Sequence, residues 1–448
     1  MKKRIVAFML MLTLLTGCAK TDKKEKSPDT KPEINGISTT LARAVYPTSV
    51  PYPNEADYGD DWVAFSDAYD MWWEGERALR DIETDDRGID GYVKSLTKTL
   101  LKDNGKNKAV SPANIYFALA LLANVSDGNT RTQVLDTLGY DSVEELNKNS
   151  KKLWEKLYKN NGISTSVLAN SLWTSDEYSY NQDTVNKLKD ELYASSFTGD
   201  FADPAYSQAL RDWINEQTGG LLKEQSKGVG FSDETVFALA STIYFKAQWQ
   251  DKFHELNTKT KTFHGTDGDT EADFMHSGFS RNYYYTDSFC ATDAYLEGGG
   301  SMYFILPDKD IASVLEDDAF YSFIADPSGT DKKYLPVNLS LPKFDVAYDK
   351  NISDDLQAMG ITDAFNDSKA DFSQLVTGIP MELTSVNHAA RVKIDEEGCE
   401  AAAYTVMTVD GTAAPPKDEV DLVLDRPFIF VVTGEDGLPR FLGTVNNI

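Results

Sequence analysis

At 448 residues the chain has room for two or three average domains, and a composition of 41% hydrophobic and 11% aromatic residues can supply a large core. A formal net charge of −27 argues against nucleic acid, and against polyanions such as heparin, as partners. Three cysteines are too few for a disulfide framework; apart from Cys18, near the start of the chain, Cys290 and Cys399 are expected as two thiols, with a bridge between them left open.

Residues 1–17 read as an export signal. Lys2, Lys3 and Arg4 give a basic start, and Ile5 to Leu15 is an apolar core too short to span a bilayer. Leu15-Thr16-Gly17-Cys18 resembles a bacterial lipobox. Small residues ahead of a lone Cys fit cleavage before Cys18 and acylation of its thiol. That would hold the mature chain at the bacterial cell envelope, facing outward. The alternative is a plain secretory signal with an incidental Cys. Residues 18–53 are rich in Lys, Asp, Ser, Thr and Pro and read as a flexible tether. Residues 54–85 carry Trp62, Phe65, Tyr69, Trp72 and Trp73 among acids. They read as a helix or an extension packed on the main domain, which is taken as 86–448.

Apolar residues recur at helical spacing from Ile89 to Leu101, and a break follows at Asn104-Gly105. A short strand ends at Ser111, and Pro112 is placed to open a helix. Residues 143–160 read as an amphipathic helix with Lys148, Lys151, Lys152, Lys156 and Lys159, whose interleaved acids indicate a solvated face. Leu168 to Trp173 reads as a buried strand, and 183–193 and 204–218 as helices, the second stopped by Gly219-Gly220. Phe237 to Trp249 is nearly all apolar, as a strand covered on both faces requires. Residues 263–306 read as short strands, with Gly298-Gly299-Gly300 a hairpin turn and not a phosphate loop, since no Gly-Lys-Ser/Thr or helix follows.

Val386 to Ile394 is a strand that feeds Asp395-Glu396-Glu397-Gly398-Cys399-Glu400-Ala401-Ala402-Ala403 and then a run ending at Gly411 and Pro415-Pro416. At period two, one face is Cys399, Ala401, Ala403, Thr405, Met407 and Val409, small or apolar throughout. Three alanines and a glycine nonetheless make a poor strand. The segment therefore suits two states, a loop and a strand inserted where only small inward side chains fit; a loop after an ordinary edge strand is the plainer reading.

The run Glu396 to Ala403 resembles the hinge of an inhibitory serpin. Asp425-Arg426-Pro427-Phe428, Phe441-Leu442-Gly443, Leu341-Pro342-Lys343-Phe344 and Met359-Gly360-Ile361-Thr362-Asp363-Ala364-Phe365 resemble other phrases of that family. The resemblance implies an α+β serpin fold: a helix-rich N-terminal half, a large central β-sheet and an exposed reactive-centre loop at about 396–416. It implies inhibition of a serine protease through a covalent complex, with the cleaved loop inserting into the sheet. Counting from Gly398 puts the scissile bond at Thr412-Ala413, within a window reaching back to Val409. Small residues there suit elastase-like or subtilisin-like targets; a cysteine protease target stays open. The resemblance also assigns Trp249 to the breach at the top of the sheet, and Ser111, Asn114, Ser241 and His388 to the shutter below. The family usually has Ser at the Asn114 position and Asn at the Ser241 position, so the two would have traded places here. The competing reading is a non-inhibitory serpin acting as a cell-surface binding protein, but its inserting face would carry bulky or charged residues. A monomer without cofactor is expected. No His-Glu-x-x-His, Cys-x-x-Cys or Gly-x-Ser-x-Gly occurs, so neither a metal site nor an enzyme is expected.

Overall fold

The computed structural model describes residues 38–85, 89–102, 104–399, 418–434 and 439–448. In chain order, β1 (Thr39–Ala42) and α1 (Trp62–Arg80) precede the main domain. Then come α2 (Ile89–Leu100), β2 (Lys108–Val110), α3 (Pro112–Val125), α4 (Gly128–Leu138), α5 (Val143–Leu157), β3 (Lys159–Asn160) and β4 (Ser164–Ser175). Next are α6 (Gln182–Leu192), β5 (Ala194–Gly199), α7 (Pro204–Gln217) and β6 (Phe237–Gln248). Five strands follow without a helix: β7 (Lys259–Gly265), β8 (Gly268–Ser277), β9 (Ser280–Tyr285), β10 (Phe289–Tyr295) and β11 (Ser301–Pro307). The remainder is α8 (Ile311–Leu315), α9 (Asp318–Ala325), β12 (Lys332–Pro342), β13 (Phe344–Asn351), α10 (Ser353–Ala358), β14 (Asn387–Ile394), β15 (Gly398–Cys399), β16 (Val420–Val423), β17 (Phe428–Thr433) and β18 (Pro439–Val445).

The strands form two sheets. The first has the order β1-β5-β4-β6-β15-β14-β13, with β3 paired to β4. The second runs β2-β18-β17-β11-β10-β9-β12-β8-β7, and β16 joins it beside β12. Helix α3 touches β6 of the first sheet and β18 of the second. Its sequence explains that position. The Ser111 hydroxyl accepts from the Asn114 N–H at 3.2 Å as an N-cap, Pro112 fits the first turn, and apolar residues surround the helix. A helix apolar on every side belongs inside. A second, smaller core of Trp173, Phe197, Phe201, Tyr206, Leu210 and Trp213 lies where α7 meets β4.

Three expectations change in detail. The stretch read as a tether, 18–53, is not free as far as 53. Thr39–Ala42 pairs antiparallel with β5 and covers the edge of the first sheet, and Tyr46 packs at an angle against Trp154, Tyr158 and Tyr193. The polar residues around Thr39–Ala42 hid a strand of four residues, in which only Leu41 and Ala42 pack on the core beside the backbone pairing. Strand β6 is not covered evenly on both faces, since Phe237–Ser241 stay half-buried while Phe245 and Ala247 are buried. The helix read over 143–160 stops at Leu157, because Tyr158 turns extended and Lys159–Asn160 pair with β4. Gly298, Gly299 and Gly300 all take positive φ in the tight turn joining β10 to β11, as the hairpin reading required.

Candidate functional site

Strand β14 leaves the first sheet at Ile394, turns through Asp395-Glu396-Glu397 and comes back as β15. The turn closes with the Asp395 N–H on the Gly398 carbonyl at 3.1 Å and the Glu397 N–H on the Asp395 carboxylate at 3.0 Å. Cys399 then stands opposite Ile394 on one side and opposite Ala247 on the other. Two residues of the hinge are thus already a strand lying between β6 and β14. At two strand spacings of about 4.8 Å, these neighbours are held roughly 10 Å apart at that level. Gly398 is required by space and not by φ: a Cβ there would run into the Ala247 carbonyl oxygen and lie 2.7 Å from the Gln248 Cα. Cys399 is 4% exposed, which explains why a small side chain stands there. Cys290 and Cys399 are thiols, not a disulfide.

The segment after β6 grips the turn. The Trp249 N–H donates to the Glu397 carbonyl at 3.0 Å and its indole Nε1–H to the Asp395 carbonyl at 2.8 Å. The Phe253 N–H donates to the Glu396 carbonyl at 3.2 Å. The indole is fully buried beside Phe253 and Phe304. Both hinge carboxylates are also held. Glu397 pairs with Lys252 at 2.7 Å, while Glu396 accepts from the Thr258 hydroxyl at 2.6 Å and pairs with Lys343 at 3.2 Å. Burial alone pushes the Glu396 carboxyl up, but the bonds from Thr258 and Lys343 outweigh it and hold it below the usual glutamate range.

Lower in the sheet, Ser111, Asn114, Ser241 and His388 form one chain of hydrogen bonds. The Ser111 N–H donates to His388 Nε2 at 3.2 Å, the Ser111 hydroxyl accepts from the Asn114 N–H, and the Asn114 amide donates to the Ser241 hydroxyl at 3.0 Å. Asn114 and Ser241 therefore bond to each other, and the ring is reached through the Ser111 backbone. With Nε2 accepting, the neutral ring carries its hydrogen on Nδ1, which is buried and has no partner among the described residues. Burial pushes the His388 pKa down to about 4, so the ring is neutral at physiological pH.

The structure thus brings Glu396, Glu397, Gly398 and Cys399 together with Trp249, and joins Ser111, Asn114, Ser241 and His388 in a second group. Glu400, Ala401, Ala402, Ala403, the Thr412-Ala413 bond and Cys18 lie outside the described residues. Sequence reasoning missed Lys252, Phe253 and Thr258, which meet the hinge only because the chain after Trp249 wraps back over it. It also gave no role to Lys343, although that residue sits inside the quoted Leu341–Phe344 phrase. After residues 400–417, Val420–Val423 pairs in parallel with Val337–Ser340, so the chain is next described in the other sheet. Among the described residues no group of His, Cys, Asp and Glu could hold a metal ion, and no helix is long and apolar enough to cross a membrane.

A family model described as Serpin (serine protease inhibitor) matches residues 91–448. Serpin-Z1A of Triticum aestivum is 28% identical over 371 residues, covering 77% of this chain and 91% of that protein. Putative serpin-Z12 of Oryza sativa subsp. japonica is 30% identical over 372 residues, covering 77% and 86%. Among solved structures, the thermophilic serpin tengpin in its native state superposes with a TM-score of 0.71 at 26% identity, covering 82% of this chain and 96% of that one.

Proposed function

The chain belongs to the serpin family, and from that premise we propose that it is a suicide-substrate inhibitor of an elastase-like or subtilisin-like serine protease. The observation that carries this reading is the seating of Gly398 and Cys399 between β6 and β14. The sequence continues that strand with Ala401, Ala403 and Thr405 on the same face, side chains small enough to follow Cys399 inward. A binding protein with no need to insert would not require such a face.

In the proposed reaction the protease serine hydroxyl adds to the Thr412 carbonyl. The Ala413 amine leaves with a proton, and Thr412 remains as an ester on the protease. The freed strand extends β15 downward. About 14 residues at ~3.3 Å each would carry the ester ~45 Å along the sheet. Displacing catalytic atoms by about 1 Å already costs on the order of 100-fold in rate, so the dragged protease cannot complete hydrolysis. The driving force is a full set of strand hydrogen bonds and the burial of the small-residue face.

The test is incubation with elastase-like, subtilisin-like, trypsin-like and cysteine proteases. A complex that survives SDS, with mass spectrometry placing the cut between Val409 and Ala413, supports the reading. Cleavage without a complex for every protease contradicts it. We further propose that the mature chain is a monomer tied to the bacterial envelope through acylated Cys18 and facing outward. Labelling with a fatty acid that is lost in Cys18→Ala, together with release of the variant from the cell, tests the anchor.

A further inference from the structure

Helix α1 lies ahead of the main domain, yet one of its carboxylates reaches the level of the hinge. Glu76 sits on the packed face of α1, its side chain only 8% exposed. Its Oε2 meets Lys159 Nζ at 2.6 Å, and its Oε1 accepts from the Asn161 amide at 2.9 Å. Lys159, itself 12% exposed, donates onward to the Gly298 carbonyl at 2.7 Å, in the turn between β10 and β11 of the second sheet. Asn161 accepts from the Ser164 N–H at 3.0 Å, at the first residue of β4. The chain ahead of α1 reinforces the grip: the Tyr52 N–H donates to the Asn161 carbonyl at 2.7 Å, and the Ser49 hydroxyl accepts from the Asn160 N–H at 3.1 Å.

The strand register ties this knot to the hinge. Ser164 pairs with Ala247, and Ala247 pairs with Cys399. Glu76, Asn161, Ser164, Ala247 and Cys399 therefore form a continuous row across the top of the first sheet. Gly298 fits tightly against the same row, because a Cβ there would run into the Ser164 side chain. To admit more of the loop, β6 must move away from β14 below the level at which β15 already parts them. It is paired with β4 from Ser164↔Ala247 to Thr174↔Phe237, so the two move together. That movement pulls the top of β4 away from the Gly298 turn, which belongs to the other sheet. The Glu76–Lys159–Gly298 connection resists it.

We propose that α1 is a built-in latch on the top of the sheet: through Glu76 it locks Lys159 between the two sheets and slows insertion of the uncut loop. This rests on the inhibitory reading above and names a control on the same site. A buried ammonium stripped of its carboxylate is costly, so removing Glu76 should loosen the tie between β4, with the β6 paired to it, and the Gly298 turn of the second sheet. The latch does not bear equally on the two states. Once the loop is fully inserted, β6 and β14 have also parted below the row that β15 already holds open, and no further movement is left for the latch to oppose.

The test uses the full chain. Wild type, Glu76→Gln and the double variant Glu76→Leu/Lys159→Met are compared, with Glu74→Gln on the exposed side of α1 as the control. The double variant fills the same space with apolar groups and so preserves the fold while removing the link to Gly298. Two quantities are read: the half-time for uncut protein to lose inhibitory activity on warming, and the melting temperature of loop-cleaved protein. The latch predicts that Glu76→Gln and the double variant shorten the half-time roughly tenfold or more, as loss of a charged hydrogen bond would. Cleaved protein should melt unchanged, and Glu74→Gln should match wild type throughout. Equal half-times, or an equal loss of stability in cut and uncut forms, would overturn the latch alone. Wild-type protein that forms no protease complex and gains no stability on cleavage would overturn the inhibitory reading, and the latch with it.

Discussion

The side-chain amide of Asn114, in the first turn of α3, donates to the hydroxyl of Ser241 on β6 at 3.0 Å. The bond fastens the helix between the sheets to the strand that the proposed loop insertion would move. Asn114→Ala and Ser241→Ala should each lower the stability of uncut protein by roughly 1 kcal/mol and speed loop insertion, since each leaves the other group without its partner. The exchange Asn114→Ser with Ser241→Asn should recover most of the loss, because the same two groups then meet in reverse. Thermal melts of uncut protein decide it. If both alanine variants match wild type, the bond has no part in holding the sheet.

Trp249 offers a sharper probe of the hinge. Trp249→Phe keeps a buried ring but removes the donor to the Asp395 carbonyl. It should cost about 1–3 kcal/mol, as expected for a buried carbonyl left unpaired. Amide hydrogen exchange over 395–399 should rise, because this bond and the Glu397 contact hold the turn. Unchanged exchange would show that the backbone bonds suffice.

Gly398→Ala tests whether the seated strand matters to inhibition. The added methyl group would collide with the Ala247 carbonyl. We expect β15 to be pushed out of the sheet and more inhibitor to be consumed as substrate per protease trapped. Ala401→Arg, farther along the same face, should abolish the SDS-stable complex while leaving cleavage intact. A normal complex with either variant would count against strand insertion.

His388 gives a pH dependence whose sign can be worked out. Its folded pKa is about 4, below the ordinary value of 6.5. Between these values the unfolded chain binds a proton that the folded protein refuses. Stability from this group is therefore complete above about pH 6.5 and is lost as pH falls toward 4, to a limit of roughly 3 kcal/mol. Glu396, whose pKa is depressed, adds a further loss in the same direction below the ordinary glutamate range. Denaturant melts between pH 7 and 4 should show the slope, and His388→Asn should flatten its upper part. An identical slope in the variant would remove His388 as its source.

Much of the sheet was legible because its strands declare themselves locally. Phe237 to Gln248 and Asn387 to Ile394 are apolar or alternating runs, and Pro112 and Gly219-Gly220 punctuate helices in the usual way. The expected hinge rests on a constraint of size, visible in the sequence as Gly398, Cys399 and the alanines that follow; of these the structure describes Gly398 and Cys399, both buried. What could not be read was long-range. Nothing in the spacing of Lys343, Thr258 and Glu396 says that they meet, since the contact depends on how the chain folds back after Trp249. Thr39–Ala42 was hidden for another reason: with only Leu41 and Ala42 packed on the core, a four-residue edge strand is too short to show an apolar pattern. Glu76 was one more acid in an acidic segment until Lys159 and Asn161 were seen to bury it.

The central claim is that the intact protein stores free energy which a cut in its loop releases. The direct measurement is the thermal melt of intact protein beside protein nicked at Thr412-Ala413 or at the neighbouring bonds back to Val409. Stored energy predicts a large rise in melting temperature after the nick, with Ala401 and the residues that follow protected from exchange as a new strand between β6 and β14. Identical melting of the two forms would mean that no such energy is stored, and the proposed trap would fail.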